Sequence, residues 1–439
     1  MPKITIVGAG QSGLQLALGL LGSGYDVTVV SNRTPEQIAA GRVTSSQCMF
    51  DSSLAHEREL GIDFWASEAP PVEGIALTVP APPDASPAPP DGKAFSWRGV
   101  LNAPAQSVDQ RVKMPRWLSE FTSRGGNLVI EDASVESLDK YAADSDLVIV
   151  AAGKGEIAGL FSRDDERSVF DAPQRALAVT YVDGLTPRTG GTAVDFNLIP
   201  GVGEYFVFPA LSVNGPCHIM TWEAIPGGPM DAFTPGASPA EHLATSKKLL
   251  QQFLPWEYER AKDCTLTDDG GMLTGKFAPV VRNPVAELPS GKAVLGLADV
   301  VVLNDPITGQ GSNNAAKCAA SYLQSILAHG DKPFDRAFME ATFETYWEYA
   351  NSVTTWTSAM LGAPPPHVLQ LLGSAAEHQA IADRFANGFN DPRDFFEWFM
   401  DPAKAESYLA EVTSPQPPAE APAPAPKRRG LWARLRNRP

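Results

Sequence analysis

The sequence predicts an α/β protein in which a Rossmann-type dinucleotide-binding domain with a parallel sheet carries an antiparallel β-sheet substrate domain and a C-terminal helical region. Three observations predict it. A strand, glycine-rich turn, helix and second strand fit within residues 4–33, short β-rich runs follow one another between residues 170 and 285, and an aromatic-rich helical pattern runs from Phe334 to Leu409.

The opening stretch reads ITIVGAGQSGLQLALGLLGSGYDVTVVSNR. Ile4, Ile6 and Val7 predict a buried parallel strand, Leu14 to Leu21 a helix, and Val27 to Val30 a second strand. Between them Gly8-Ala9-Gly10-Gln11-Ser12-Gly13 matches GxGxxG in the context that gives the motif meaning. Gly8 permits the tight turn, Gly10 lets backbone approach a pyrophosphate, and Gly13 lets helix pack closely on strand. The N–H groups of the helix N-terminus would meet the phosphates, which makes Gln11 and Ser12 candidates as well. An acidic residue often ends the second strand to hold the adenosine ribose, but here Ser31, Asn32 and Arg33 occupy that place. The fingerprint therefore leaves open which dinucleotide is bound.

Pro35 to Ala40 predicts a short capped helix, after which Gly41 to Ser46 lead back toward the nucleotide. Residues 70–93 are proline-dense, with Pro80, Pro82, Pro83, Pro87, Pro89 and Pro90 close together, and predict a loop or insertion outside the core. SVDQRVKMPRWLSEF predicts a helix with Arg111, Met114, Leu118 and Phe121 on one face and a kink at Pro115. Leu128 to Ile130 and Leu147 to Ala151 predict further parallel strands, the latter ending at Gly153-Lys154-Gly155, where open α/β sheets bind ligands.

Ala176 to Val182, Thr192 to Leu198, Glu204 to Leu211 and His218 to Glu223 predict an antiparallel sheet, interrupted by a helix whose capping box is Ser238 with Glu241. Such a sheet would roof a pocket over the nucleotide fold. Ala293 to Asp299 is a strand ending in an acid, and Asp305-Pro306-Ile307-Thr308-Gly309-Gln310-Gly311-Ser312-Asn313 opens a helix of small residues, a second dipole site. Asp305 reads as a turn cap before Pro306 in preference to a base. The expected divisions are a nucleotide domain in three parts (1–69, 94–169, 286–330), the proline-rich insertion (70–93), the antiparallel domain (170–285), the helical region (331–412), and a Pro/Ala linker with basic tail (413–439).

Of 439 residues 44% are hydrophobic, enough for a large core. The formal charge of −16 divides unevenly: residues 414–439 carry six basic residues against Glu420, a net of +5, leaving −21 on the rest. So acidic a body excludes nucleic acid as the main partner. No apolar run reaches transmembrane length and no signal peptide precedes the first strand, so a cytoplasmic protein is expected. Cys48, Cys217, Cys264 and Cys318 lack CxxC spacing and read as buried thiols, and the histidines show no metal-ligand spacing, so no metal is expected. The tail, with Leu431, Trp432 and Leu435 among its basic residues, could touch an acidic partner or an anionic membrane surface, with a solvated extension as the plainer reading.

GAGQSG, the helix carrying Arg111, and the late DPITGQG together resemble the FAD domain of hydroxybenzoate-hydroxylase-like flavoprotein monooxygenases. SVDQR at 107–111, FDAPQRALAV at 170–179, LGLADVVVLNDPITGQGSN at 295–313, WTSAMLGAPPP at 356–366 and FANGFNDP at 385–392 more closely resemble the styrene and indole monooxygenases, the epoxidase subunits of two-component systems. That resemblance covers essentially Met1 to Leu409. It implies that Gly8, Gly10, Gly13, Arg42, Arg111, Asp299, Pro306, Gly309, Gln310 and Gly311 line FAD, with Gly153, Ser312 and Asn313 beside them. Ser45 stands where the family has a flavin-neighbouring asparagine, and the proline-rich stretch stands where it has pocket-lining aromatics.

The implied activity is oxygenation through a flavin C4a-(hydro)peroxide formed from reduced FAD and O2, which epoxidises an aromatic alkene such as styrene or indole and extends to sulfoxidation. No residue acts as acid or base in such a reaction; Ser45, Pro306, Gly309, Gln310 and Gly311 would neighbour the flavin ring. The implied partners are a small aromatic substrate and an NAD(P)H:flavin reductase, with room for a homodimer. Two departures from single-component relatives suit this: Gly153-Lys154-Gly155 replaces their DG motif, and Gly201-Val202-Gly203 reads as a hairpin turn instead of a second GxGxxG. The halogenase-type WxWxIP is missing as well. A self-sufficient NAD(P)H-dependent hydroxylase is the alternative enzyme, and a flavin-binding module without turnover the alternative of another class.

Overall fold

A computed structural model describes residues 2–82, 84–87, 89–152 and 155–414. The first sheet grows from the opening segment. β1 (Lys3–Val7), α1 (Gln11–Gly22) and β2 (Asp26–Ser31) form the predicted βαβ unit. Then come α2 (Pro35–Ala39), capped reciprocally by Thr34 and Gln37, and α3 (Asp51–Glu59). β3 (Pro71–Pro80) and β4 (Lys93–Gln106) leave this domain, and α4 (Gln110–Ser123), β5 (Asn127–Ile130), α5 (Val135–Asp144) and β6 (Leu147–Val150) return to it.

β7 (Ala176–Asp183), β8 (Val194–Ile199), β9 (Gly203–Ser212) and β10 (Gly215–Ala224) follow, then α6 (Pro239–Phe253), α7 (Pro255–Ala261) and the short strands β11 (Thr265–Leu266), β12 (Met272–Gly275) and β13 (Val280–Val281). β14 (Val285–Glu287), β15 (Ala293–Gly296) and β16 (Val302–Leu303) lead into α8 (Gly311–His329). The chain ends in α9 (Arg336–Met360), α10 (Pro366–Ser374), α11 (Gln379–Gly388), α12 (Phe395–Trp398) and α13 (Pro402–Thr413). The predicted capping box of α6, Ser238 with Glu241, is present.

The first sheet has the order β14-β15-β6-β1-β2-β5 and is parallel except for β14. Its strands are apolar on both faces because helices cover both, as a parallel sheet requires. The second sheet runs β11-β7-β10-β9-β8-β3-β4, with β12 also on β7. α6 and α7 cover one face through Leu249, Leu250 and Leu254 against Met220, Trp222 and Tyr205. The C-terminal helices cover the other, where Trp356, Phe385 and Phe395 pack on Leu77, Trp97, Phe196 and Phe206. α11 lies so close to β4 that a Cβ on Gly99 would stand 2.1 Å from the Ala382 carbonyl oxygen.

The expectation that residues 70–93 form a loop outside the core is corrected here. Residues 71–80 are β3, paired antiparallel with β4 and parallel with β8, and Ile75, Leu77 and Val79 are buried. Its prolines sit at the two ends, Pro71 and Pro80, where a missing N–H costs no interior ladder bond. The denser run beyond Pro80 forms the β3–β4 connection. β4 likewise belongs to the second sheet and not to the nucleotide domain that residues 94–169 were expected to continue. Of the expected linker and tail, 413–439, Thr413 still ends α13, and everything beyond Ser414 lies outside the described residues. Among the described residues no helix is long and apolar enough to cross a membrane.

Candidate functional site

The glycine turn sits at the carboxyl end of β1, which lies between β2 and β6, so helices leave in opposite directions there and open a crevice. Gly8 has φ +123°, and a Cβ on it would meet the Ala151 carbonyl carbon at 2.7 Å. A Cβ on Gly13 would lie 2.1 Å from the Gly8 carbonyl oxygen, the close helix–strand approach the motif predicts. Gly10 differs: its Cβ would meet nothing within 4 Å. The three glycines thus make a turn closed on its protein side and open in front of α1, which fits a pyrophosphate.

The neighbouring side chains are less free than expected. Gln11 is buried and donates to Glu57 at 3.0 Å and to Gln15 at 3.3 Å, beside a buried Glu57–Lys113 ion pair. Ser12 is buried. The Ser31 hydroxyl donates to the Arg33 carbonyl at 2.7 Å, so it closes the turn after β2; Asn32 is exposed and Arg33 half-buried. Arg42 is exposed. Arg111 is 4% exposed and its guanidinium is spent inside the protein, on Asp109 at 2.9 Å and bidentately on Asp268 at 2.8 and 3.0 Å. It ties α4 to the loop before β12. Gly153 lies outside the described residues.

DPITGQG builds the second part. Asp305 caps a 3-10 turn at Pro306–Thr308, accepting from the Ile307 N–H at 3.1 Å, as its turn-capping reading anticipates. Gly309 ends that turn at φ +62°, and neither it nor Gly311 would bring a Cβ within 4 Å of any atom, which leaves the approach to the N-terminus of α8 open. Gln310 is fully buried; its amide donates to the Phe389 carbonyl at 3.0 Å while its Oε1 has no partner. Ser312 is half-buried. Asn313 is a clamp: it donates to the Cys48 and Gly309 carbonyls at 2.9 and 3.1 Å and accepts from the Phe50 N–H at 2.9 Å. Asp299 is exposed on a 3-10 turn just past β15, preceded by Ala298 at φ +51°.

Between this loop, the second sheet and the C-terminal helices lie two adjoining cavities of about 50 and 20 Å3. Pro306, Ile307, Thr308 and Gly309 form one wall of the larger, with Phe50, Phe196, Phe206, Phe208 and Phe389 around them. The smaller continues between Leu77, Trp356 and Phe385. Ser46 and Cys48 reach the cavity; Ser45 turns away, donating to Gln47 at 2.9 Å and lending its carbonyl to Tyr181. The segment expected to supply pocket aromatics supplies the aliphatic Ile75 and Leu77. Burial pushes the Cys48 thiol up to about 12, so it lines the wall as an apolar group and not as a thiolate.

Sequence reading missed the acids on this wall. Glu223 and Thr221 project from β10 into the cavity. Arg175, on the PQRAL segment, holds Glu204 bidentately at 2.6 and 2.9 Å, all of it buried. Burial raises Glu204, with Arg175 opposing. It raises Glu223 well above the carboxylate range, reinforced by the negative charges of Asp305 and Glu204. Burial lifts Asp305 too. Among the described residues no His, Cys, Asp or Glu cluster is placed to hold a metal ion.

Residues 153–260, which span β7 to β10 and α6, match the family described as "Styrene monooxygenase A putative substrate binding domain". Across nearly the whole chain there is a further match, to styrene monooxygenase StyA of Pseudomonas fluorescens: 29% identity over 411 residues, covering 92% of this chain and 96% of that one. The chain is similar to the styrene monooxygenases along nearly its whole length. StyA of an unspecified Pseudomonas is 28% identical over 418 residues, covering 93% and 98%. Among solved structures, a flavoprotein/dehydrogenase from Cytophaga hutchinsonii superposes with a TM-score of 0.61 at 13% identity, covering 93% of this chain and 99% of that one. The chain is an FAD-dependent monooxygenase, with FAD and O2 as cofactor and cosubstrate. The open faces of Gly10, Gly309 and Gly311 leave room for such a cofactor, whereas the side chains of Gln11, Ser31, Arg111 and Asn313 are committed to contacts within the protein.

Proposed function

We propose that this chain is the oxygenase component of a two-component system: a separate NAD(P)H:flavin reductase supplies reduced FAD, and the chain directs one oxygen atom from O2 onto an aromatic alkene such as styrene or indole, forming the epoxide. The observation that carries this reading is the aromatic cavity laid directly against the Pro306–Gly309 loop. Reduced FAD, when bound, supplies the oxygen activation, so the protein needs no nucleophile of its own.

The chain's residues bind, orient and exclude water. Backbone N–H groups at the start of α1, reached through the open face of Gly10, would hold the pyrophosphate. The left-handed turn at Gly309 and the bare Gly311 would admit the flavin ring edge to the N-terminus of α8, whose dipole favours the anionic reduced form. Phe50, Phe196, Phe206, Phe208 and Phe389 would seat a planar aromatic and keep the cavity dry. Cys48, held protonated, would not compete for the oxidant as a thiolate.

The test supplies photoreduced FAD, O2 and either styrene or indole to the purified chain, with epoxide or indigo as the expected product. Absence of oxygenated product from both, with FAD demonstrably bound, refutes the reading. Rapid bleaching of bound FAD by NAD(P)H without added reductase refutes the two-component part.

A further inference from the structure

The cavity has one corner that its hydrocarbon walls do not explain. Glu223 is 0% exposed, and beyond a side-chain hydrogen bond shared with Asp305 its carboxyl has no partner. Thr221, two residues earlier on β10 and therefore on the same face, is 5% exposed with an unpartnered hydroxyl. Both line the cavity. Glu223 stands directly across from Glu204 in the β9–β10 register, an arrangement that repels unless one acid is neutralised. Arg175 forks onto Glu204, so its charge is used there and Glu223 gains no cation of its own. Its hydrogen-bonding neighbour is Asp305, another acid, onto which the neutral Glu223 carboxyl donates, leaving its carbonyl oxygen unpaired.

A buried carbonyl oxygen and a buried hydroxyl left unpaired destabilise the fold, so folding alone does not account for them. A carboxyl held neutral has a carbonyl oxygen free to accept a hydrogen bond. We propose that Glu223, supported by Thr221, is the specificity-determining anchor of the substrate cavity: it accepts a hydrogen bond from an N–H or O–H group on the substrate, which is therefore an aromatic alkene bearing such a donor and not a plain hydrocarbon. This rests on the oxygenase reading of the same cavity. A donor-bearing ring satisfies the carboxyl and is held in one orientation by it. A hydrocarbon of the same shape leaves it unpaired, and binding sites built on polar groups reject such analogues strongly.

Indole and indene test this, since they differ chiefly in a ring N–H against a CH2. Wild type should turn over indole with a kcat/KM at least tenfold above indene, with photoreduced FAD in both cases. Glu223→Met should erase that preference, mainly by raising KM for indole. Glu223→Gln, which keeps an accepting carbonyl, should retain much of it. Equal effects of Glu223→Met on both substrates, or no effect, overturn the proposal. Calorimetric binding of indole and indene to the oxidised, FAD-loaded protein gives the same comparison without turnover. Failure of all turnover therefore counts against the oxygenase reading, while unchanged indole affinity in Glu223→Met counts against the anchor.

Discussion

Gly10→Ala and Gly13→Ala, two residues on one turn, should separate cofactor contact from folding. Gly10 has φ −89° and ψ −170°, open to any residue, and its Cβ would meet no atom within 4 Å. The apo-protein should therefore tolerate Gly10→Ala, or gain a few tenths of a kcal/mol from a stiffer unfolded chain. The added methyl occupies the space through which a pyrophosphate would reach the N–H groups of α1. Losing one charge-assisted contact is worth about 1.5–3 kcal/mol, which at about 1.4 kcal/mol per decade weakens FAD roughly ten- to hundredfold. Gly13→Ala drives a Cβ to 2.1 Å from the Gly8 carbonyl oxygen and 3.2 Å from the Ala151 Cβ, in the turns that directly follow β1 and β6. Overpacking of this kind costs about 1–3 kcal/mol, with no cofactor present. Denaturant midpoints of the apo-proteins and fluorescence titration with FAD read the two effects independently. Wild-type FAD affinity in a normally folded Gly10→Ala would refute the placement of the phosphates at α1.

Arg175→Leu strands Glu204 as an unpaired buried acid and should destabilise the fold by about 3–5 kcal/mol; Arg175→Leu with Glu204→Leu should recover much of it, measured by urea unfolding. His218 resists protonation in the folded chain, its pKa pushed down to about 4 by burial and by Arg260, with Asp195 opposing. The unfolded ring titrates near 6.5, so the unfolded chain binds the extra proton between those values. Stability is intact above about pH 6.5 and falls by about 3 kcal/mol as the pH drops toward 4. His218→Gln should flatten that limb in a pH series of unfolding midpoints. Deleting residues 415–439 should leave oxygenase activity with photoreduced FAD unchanged, and a large loss would assign the tail a role in the reaction.

What the sequence disclosed follows from how local each constraint is. The glycine turn was legible because Gly8, Gly10 and Gly13 each answer a constraint within a few residues, and the structure meets it at Gly8 and Gly13 by contacts too short for any side chain. The capping residues Ser238 and Asp305 were legible for the same reason. The acids of the cavity were not. Along β10, Met220, Trp222 and Ala224 alternate with Thr221 and Glu223, the pattern of a strand with one wet face, yet both faces are buried. Only the C-terminal helices, more than a hundred residues further on, close over the second face. The PQRAL motif did carry a hint, since an arginine so placed needs an acid, but its partner Glu204 is fixed by strand pairing that no local pattern reveals. The proline-rich stretch misled because density was read across a strand boundary, at Pro80, that prolines themselves mark.

The parallel pairing of Ile75 with Val194 has a consequence for how this protein is made. Between those two strands the chain must first lay down β5 and β6 of the other sheet, so neither sheet is a continuous stretch of polypeptide. A fragment cut to residues 153–260 would hold β7 to β10 but leave the outer edge of β8 without β3 and β4, an unprotected row of N–H and C=O groups ready to recruit another chain. Such an excised substrate domain should aggregate, and the intact protein should fold slowly, as long loop closures dictate. The two sheets are interleaved along the chain, so swapping the substrate domain between relatives requires moving residues 71–106 together with it.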